Sequence, residues 1–599
     1  MKKLYSLLCL GALVLGACSS NDNPNPGPNP PDEGGVATGT GSLTFSYCQK
    51  EINLTTGING AAANASIGGA IYIPAETAQR WKGNYLSGVI IGFGSSSTPE
   101  AKIFISTGKL DGNEMPTPVY TQVAEMELQD DWNEVTLDTP YEITGEGFFI
   151  GYTTPMAYGD SPLGLDMVTT SEQDFLAGNY DNGDIIGVDQ LGTGMGWEHG
   201  GPWFGRVCIQ AVISGDDLPL YNVGISDLFI PSFMGKDYEF PLDFYLQNSG
   251  MDAVESVTVS LEINGQEVAQ AKAVADSPIA SGSGAWMSAN VSLSETGQDM
   301  DVVVKIIKVN DNSRIEVTED SQITGEMTVS ELSFEQNVLV EEFTGTWCGF
   351  CPRGIVGMEY MNENYGNDGF IGIAGHYNDD MVSPTYIEVV NTFSQGSYPS
   401  AVVNRTYYYD PSKENNLEYY EYLRPYPSFA GIDLSAQYDA ASNTIHVSSE
   451  TQFAIDSNNS PYELTFVLCQ NNVGPYAQTN YFAGGSYGPL DGWENYGAVV
   501  SWIYEDVARW TASSFGITGS LPSTIKSGEK YSYDLDINAG SYNVDECFVV
   551  AILLDTTNYR VVNSAKYSLA PSTKSASDSK KSSVKLTNAQ RQKIRESAR

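Results

Sequence analysis

Cysteine and histidine are scarce enough to narrow the metal chemistry open to this chain. It holds one C-x-x-C pair, Cys348 and Cys351, and three histidines, His199, His376 and His446, far apart and without ligand spacing. A tetrahedral zinc site needs about four ligands, usually two such pairs or one pair plus histidines, so no metal is expected. Basic residues are also few. Outside the basic start and tail, residues 4 to 570 hold 20 lysines and arginines against 72 aspartates and glutamates, net −52. Such a body repels phosphate backbones and anionic lipid surfaces, and nucleic acid is not an expected partner. After the leader, no apolar run reaches the length of about 18 residues that marks a membrane-crossing helix.

The chain starts Met1-Lys2-Lys3, followed by an apolar stretch of 14 residues from Leu4 to Ala17. That is short of the roughly 20 residues of a spanning helix and reads as a secretory leader. Its end, Leu15-Gly16-Ala17-Cys18, resembles a bacterial lipobox. The resemblance implies cleavage before Cys18 and attachment of a diacylglycerol to its sulfur; an ordinary leader with an incidental Cys18 is the alternative. More than one acyl chain gives stable anchoring, so attachment to a membrane through Cys18 is expected. Residues 19 to 36 contain five prolines and no periodic apolar pattern, which suits a tether. Ser19 and Ser20 follow the cysteine, with no aspartate there. The expected location is the cell envelope, as an outer membrane lipoprotein facing the periplasm or the cell surface.

At 599 residues and about 100 to 200 residues per domain, the chain accommodates about three to five domains. From about 37 to 216, short β-favouring runs such as Leu86 to Phe93, Ala101 to Ser106 and Val207 to Ile213 are split by Gly, Pro, Asn and Asp. This predicts a jelly-roll-like β-sandwich. In its segment 194–205, Trp197, His199, Trp203 and Phe204 stand among glycines. Exposed, these rings can stack on carbohydrate or on a surface protein; buried, they plug the end of the sandwich. Residues 217 to 330 repeat an all-β pattern of immunoglobulin-like length but contain no cysteine, so the Cys-Trp-Cys hallmark is absent. Residues 426 to 570 predict a C-terminal β-sandwich, and 571 to 599 a basic polar tail. In an oxidising compartment Cys48 with Cys208, and Cys469 with Cys547, are candidate bridges, the alternative being buried thiols.

The chemistry is legible in residues 338 to 354, VLVEEFTGTWCGFCPRG. Val338 to Phe343 reads as a short buried strand. A turn follows at Thr344 to Thr346, and Ile355, Met358 and Met361 line one face of a helix starting near Cys351. The thiols therefore sit at a helix N-terminus, where free N–H groups and the helix dipole favour the thiolate. Cys348 is the expected attacker and Cys351 the resolving thiol. Pro352 is tolerated because the first helical turn does not need its N–H. A second apolar run, Gly369 to Gly375, then a helix from Ser383 to Phe393, then Tyr398-Pro399 and the run Ala401 to Val403 complete the unit. His376, ending the second strand, lies near the thiols or is a hydrogen-bonded structural residue.

This strand, helix, strand, helix, X-Pro, strand order, with Trp347-Cys348-Gly349-Phe350-Cys351 and Tyr398-Pro399, resembles a thioredoxin fold over about residues 331 to 425. The resemblance implies that Pro399 is cis and faces the dithiol, that Trp347, Tyr398 and Pro399 form the substrate groove, and that Glu342 is a buried acid moving protons for Cys351. Phe350 departs from the proline of thioredoxin itself, which leaves the direction of exchange open. The wording EEFTGTWCGFCP also resembles the outer membrane protein 28-related lipoproteins of Gram-negative bacteria.

The sequence thus predicts a multidomain, mostly β chain with one thioredoxin-like α/β domain. Its expected function is thiol-disulfide exchange on exported proteins through Cys348 and Cys351, with protein thiols or disulfides as partners and no cofactor implied. The competing expectation is a surface binding or adhesion lipoprotein in which that domain is a non-catalytic scaffold. The segment from 470 to 505, rich in Gly, Tyr, Asn and Trp, is expected to roof the dithiol.

Overall fold

A computed structural model describes residues 36–48, 52–58, 65–167, 180, 182–570 and 591. The leader, the lipidation candidate Cys18, most of the tether and all of the tail except Arg591 lie outside the described residues. Among those residues, no helix is long and apolar enough to cross a membrane.

The chain is mostly β and multidomain. In the first domain a four-stranded sheet has Ile209–Pro219 and Tyr85–Gly92 at its centre, and a six-stranded sheet has Ser66–Ile73 and Phe148–Pro155 at its centre. Leu86, Val89, Ile91, Ile103, Ile105 and Ile150 form the core between them. The strand Trp132–Glu142 alternates buried and exposed side chains over its first half, as a sheet with one wet face requires. The second domain packs a three-stranded sheet, Val223–Phe229, Phe240–Asn248 and Gly284–Val291, on a five-stranded one that contains Val254–Ile263 and Gly297–Val309. Leu242, Phe244, Val257, Val259, Val302 and Val304 fill that interface.

The third part differs from the expected division. One eight-stranded sheet runs through Tyr407–Tyr409, Ser400–Val403, Val338–Thr344, Phe370–His376, Val507–Thr511, Tyr462–Gln470, Cys547–Asp555 and Arg560–Ser568. Residues 331–425 and 426–570 therefore do not form two separate sheets; the junction is a parallel bridge between Ala374 and Val507. The reason is visible in burial. Val338–Thr344 and Phe370–His376 are buried throughout, and Cys547–Asp555 nearly so, so these continuous apolar runs need cover on both faces.

That cover comes from helices around the first half of the sheet. The helix Pro352–Tyr365 packs with Lys413–Leu423 on one face, through Met358, Met361, Tyr419 and Tyr420. The helix Ile387–Phe393 covers the other face through Val389, Val390 and Phe393. Over the second half, the sheet Ala430–Asp439, Thr444–Phe453 and Lys530–Asn538 closes a core with Phe466, Leu468, Val549 and Leu553. Cys48, Cys208, Cys469 and Cys547 are buried and none of them is in a disulfide, which corrects the bridge candidates in favour of buried thiols. A buried ion pair ties the dithiol strand to its neighbours: Arg405 donates to both carboxylate oxygens of Glu341 at 2.8 and 2.9 Å, and Tyr386 Oη donates to the same group at 2.6 Å.

Candidate active site

Where Val338–Thr344 ends, the chain makes successive turns. Cys348 N–H donates to Gly345 O at 3.0 Å and Cys351 N–H to Cys348 O at 3.2 Å, before Ile355 N–H takes Cys351 O at 3.2 Å and the helix proceeds. Cys351 is the N-cap and Pro352 the first helical residue, a position that lacks an N–H partner in any helix. The two cysteines are joined as a disulfide with Cα atoms 5.4 Å apart. Cys348 is 5% exposed and Cys351 fully buried, so Cys348 is the sulfur nearer solvent. Once reduced, both thiols stand at the positive end of the helix.

Tyr398 and Pro399 lead into Ser400–Val403, the strand that pairs with Val338–Thr344. Their peptide bond is cis. Tyr398 packs edge-on to Trp347, with ring centroids 5.5 Å apart, and stacks on Tyr377 at 5.3 Å. Trp347 is 45% exposed and its Nε1–H donates to Tyr377 O at 2.8 Å. Of the residues expected to form a groove, Tyr398, joined to Pro399 by that cis bond, thus packs on Trp347, the residue before Cys348.

Glu342 lies behind it. Its strand pairs in parallel with Phe370–His376 and antiparallel with Ser400–Val403, which fixes its side chain beneath the first turn of the dithiol helix. An ideal Cβ built at Gly354 falls 1.9 Å from Glu342 Oε1, so the carboxyl presses on the helix backbone three residues beyond Cys351. Oε1 is buried and has no hydrogen-bond partner. Burial, and after it the charges of Asp506, Glu359 and Asp410, push the Glu342 carboxyl up to about 8. Glu359, one turn along the helix, is pushed up to about 7 by burial and then by Glu505 and Glu363. Both acids hold their protons far above the ordinary carboxylate range.

Two contributors were not singled out in the sequence. Asp379 accepts from His376 Nδ1 at 2.7 Å and from Thr346 N–H at 3.0 Å, and its second oxygen accepts from Met381 N–H at 2.9 Å. Burial pushes Asp379 up, but these hydrogen bonds, led by that of His376, outweigh it and hold the carboxyl below its usual range. One aspartate therefore ties the loop before the disulfide to His376. The other contributor is Gln478, fully buried, whose Nε2 donates to Cys348 O at 2.8 Å while its Oε1 accepts from Tyr504 Oη at 2.7 Å.

Gln478 belongs to the 470–505 segment, which is a hairpin, Val473–Thr479 paired with Val499–Tyr504. Thr479 N–H donates to Thr346 O at 2.8 Å and Tyr481 N–H to Gly349 O at 2.9 Å. Phe350 packs edge-on against Tyr481 and Tyr487, at 5.2 and 5.0 Å. Gly349 is required here: a Cβ would fall 2.3 Å from the Tyr481 ring. The hairpin lies directly on the dithiol motif.

The other candidates stand apart. His199 pairs with Asp184 at 2.6 Å and His446 with Asp536 at 2.6 Å, so each histidine has its own aspartate. In the 194–205 segment Trp197 is buried against Phe104, whereas Trp203 and Phe204 are 61% and 41% exposed; part of the segment plugs the sandwich and part faces out.

No family model matches the chain, and no curated protein does. Among solved structures, HBP35 of Porphyromonas gingivalis is 17% identical, over 42% of this chain and 81% of that one, with a TM-score of 0.31. A CARDB domain from Pyrococcus furiosus is 15% identical, over 18% of this chain and 94% of that one, with a TM-score of 0.14. A Salmonella alpha-2-macroglobulin mutant is 8% identical, over 84% of this chain and 20% of that one, with a TM-score of 0.21. At these scores the likenesses carry no argument about fold or function.

Proposed function

We propose that this chain is a lipid-anchored thiol-disulfide exchange protein of the bacterial cell envelope, with a thioredoxin-like unit as its catalytic part. Cys348 attacks a disulfide of an exported protein, and Cys351 resolves the mixed disulfide. The observation that carries the reading is the Cys348–Cys351 pair at the N-terminus of the Pro352–Tyr365 helix, with the buried, unpartnered carboxyl of Glu342 behind it. A helix N-terminus favours the attacking thiolate, and a buried acid with a raised pKa is a proton carrier near neutral pH. The element order and the cis Tyr398-Pro399 bond, with Tyr398 packed on Trp347, support the thioredoxin-like assignment. The lipobox resemblance at Cys18 supports the location.

A second reading has its own support. Cys348 is only 5% exposed, beneath a hairpin bonded to the motif, as expected of a scaffold that keeps an inert disulfide. Turnover separates the two. The full chain, with dithiothreitol as reductant, is expected to speed reduction of a protein disulfide, and Cys348→Ser to abolish that. Cys351→Ser is expected to accumulate a mixed disulfide on Cys348. Equal rates for the wild type and Cys348→Ser contradict the exchange reading and favour the scaffold.

A further inference from the structure

Three buried polar atoms without protein partners converge behind the disulfide: Glu342 Oε1, Thr344 Oγ1 and His376 Nε2. Their residues are each 2% exposed, and all three line one cavity of about 20 Å³, closed by Ile355, Met358, Ala374 and Tyr504. A cavity needs about 10–15 Å³ to take one water, and the water needs two to four polar partners. This one has room for a single water and three partners. Left dry, each buried polar group costs about 1–3 kcal/mol.

The hydrogen-bond roles are complementary. Asp379 is held ionised and accepts from His376 Nδ1, so Nδ1 carries a proton, and in that tautomer Nε2 is an acceptor turned into the cavity. Glu342 keeps its proton at neutral pH and is a donor. A water between them accepts from Glu342 and donates to His376 Nε2 and Thr344 Oγ1.

We propose that one ordered water links Glu342 to His376, and that the Asp379–His376 pair takes the proton Glu342 must shed before it can receive one from Cys351. This deepens the exchange reading and rests on it. In the forward step the Cys348 thiolate attacks a substrate disulfide, forming the mixed disulfide and releasing one substrate thiolate. Cys351 must next lose its proton to attack the Cys348 sulfur and expel the second substrate thiolate. A protonated Glu342 cannot accept that proton. Its own proton passes through the water to His376 Nε2, and Asp379 stabilises the resulting imidazolium. The Glu342 carboxylate then takes the Cys351 proton, and His376 returns one proton to the departing thiolate. A thiolate and a thiol become one disulfide while the substrate disulfide becomes a thiolate and a thiol, and no further oxidant is required. The titratable groups facing His376 are Glu342 from the strand, Glu359 from the dithiol helix, Glu505 and Asp506 after the hairpin, and Asp379 on its own loop.

Two measurements on the full chain test this. Histidine-selective ¹⁵N NMR resolves His376 among only three histidines. Its Nε2 shift and titration midpoint are expected to move in Glu342→Gln; an unmoved signal overturns the link whether or not the protein is an enzyme. Stopped-flow reaction of the reduced chain with a bis(nitrobenzoate) disulfide releases one thiolate on attack by Cys348 and a second on resolution by Cys351. In His376→Gln the second release is expected to slow about tenfold at pH 7 and the first to keep its rate. An unchanged second release, or equal slowing of both, overturns the role. Absence of turnover on any protein disulfide overturns the exchange reading, while the NMR response still decides the link.

Discussion

Replacing Glu342 by glutamine gives a change whose sign and size follow from the site. The carboxyl is fully buried and raised from 4.5 to about 8. Between those values the native state holds a proton that the unfolded chain has released, so native stability falls as pH rises through this window. The slope is about 1.4 kcal/mol per pH unit for one group, which amounts to a loss of about 3 kcal/mol at pH 7. Glutamine keeps the shape and has no proton to lose. The variant is therefore expected to match the wild type below pH 4.5, to exceed it by about 3 kcal/mol at pH 7, and to level off above pH 8. In a multidomain chain a single unfolding transition does not report this unit. Native-state hydrogen exchange of amides in Val338–Thr344, corrected for intrinsic rates, reads the local opening free energy instead. Parallel stability curves for the two proteins across pH 5 to 8 would refute the buried, protonated carboxyl.

Gly357→Ala is expected to destabilise the dithiol unit by about 1–3 kcal/mol, because the added Cβ lies 2.2 Å from Pro411 O and 2.7 Å from Asn416 Nδ2; an unchanged exchange rate in Lys413–Leu423 contradicts that packing. Arg405→Met strands the Glu341 carboxylate in the sheet and is expected to cost about 3–5 kcal/mol, with much of the loss recovered when Glu341→Leu is added; a double variant no better than the single one denies the pairing. Tyr481→Ala removes the ring over Gly349 and is expected to raise alkylation of reduced Cys348 several-fold and to favour large protein disulfides over peptide ones. Unchanged rates and selectivity contradict the hairpin as a roof.

The strands legible in advance were those whose burial is written in their composition. Val338 to Phe343, rich in β-branched and aromatic residues, is an interior strand of the eight-stranded sheet and is buried throughout. Ala430–Asp439 carries a weaker signal, because only its first residue is fully buried and its polar side chains face solvent. Arg560–Ser568, at the edge of its sheet, mixes buried and exposed residues and is likewise weakly marked. The shared sheet was not legible either, since the Ala374–Val507 bridge joins residues 133 apart. Local pattern carries no signal for such a contact. At the site, the cysteine pair could be named from its C-x-x-C spacing, and Glu342 from the resemblance to the thioredoxin fold. Asp379 and Gln478 could not, as each acts through a hydrogen bond made by the fold. An aspartate three residues after a strand-ending histidine was the available sign of the first.

The central claim is that the Cys348–Cys351 pair exchanges disulfides rather than staples the scaffold. Its most direct test is the reduction potential of the pair, measured with the pH dependence of Cys348 alkylation in the reduced chain. The account predicts a potential above about −270 mV and a Cys348 thiolate that reacts near neutral pH. A potential below about −300 mV, the range of structural disulfides, with an unreactive Cys348, would contradict it.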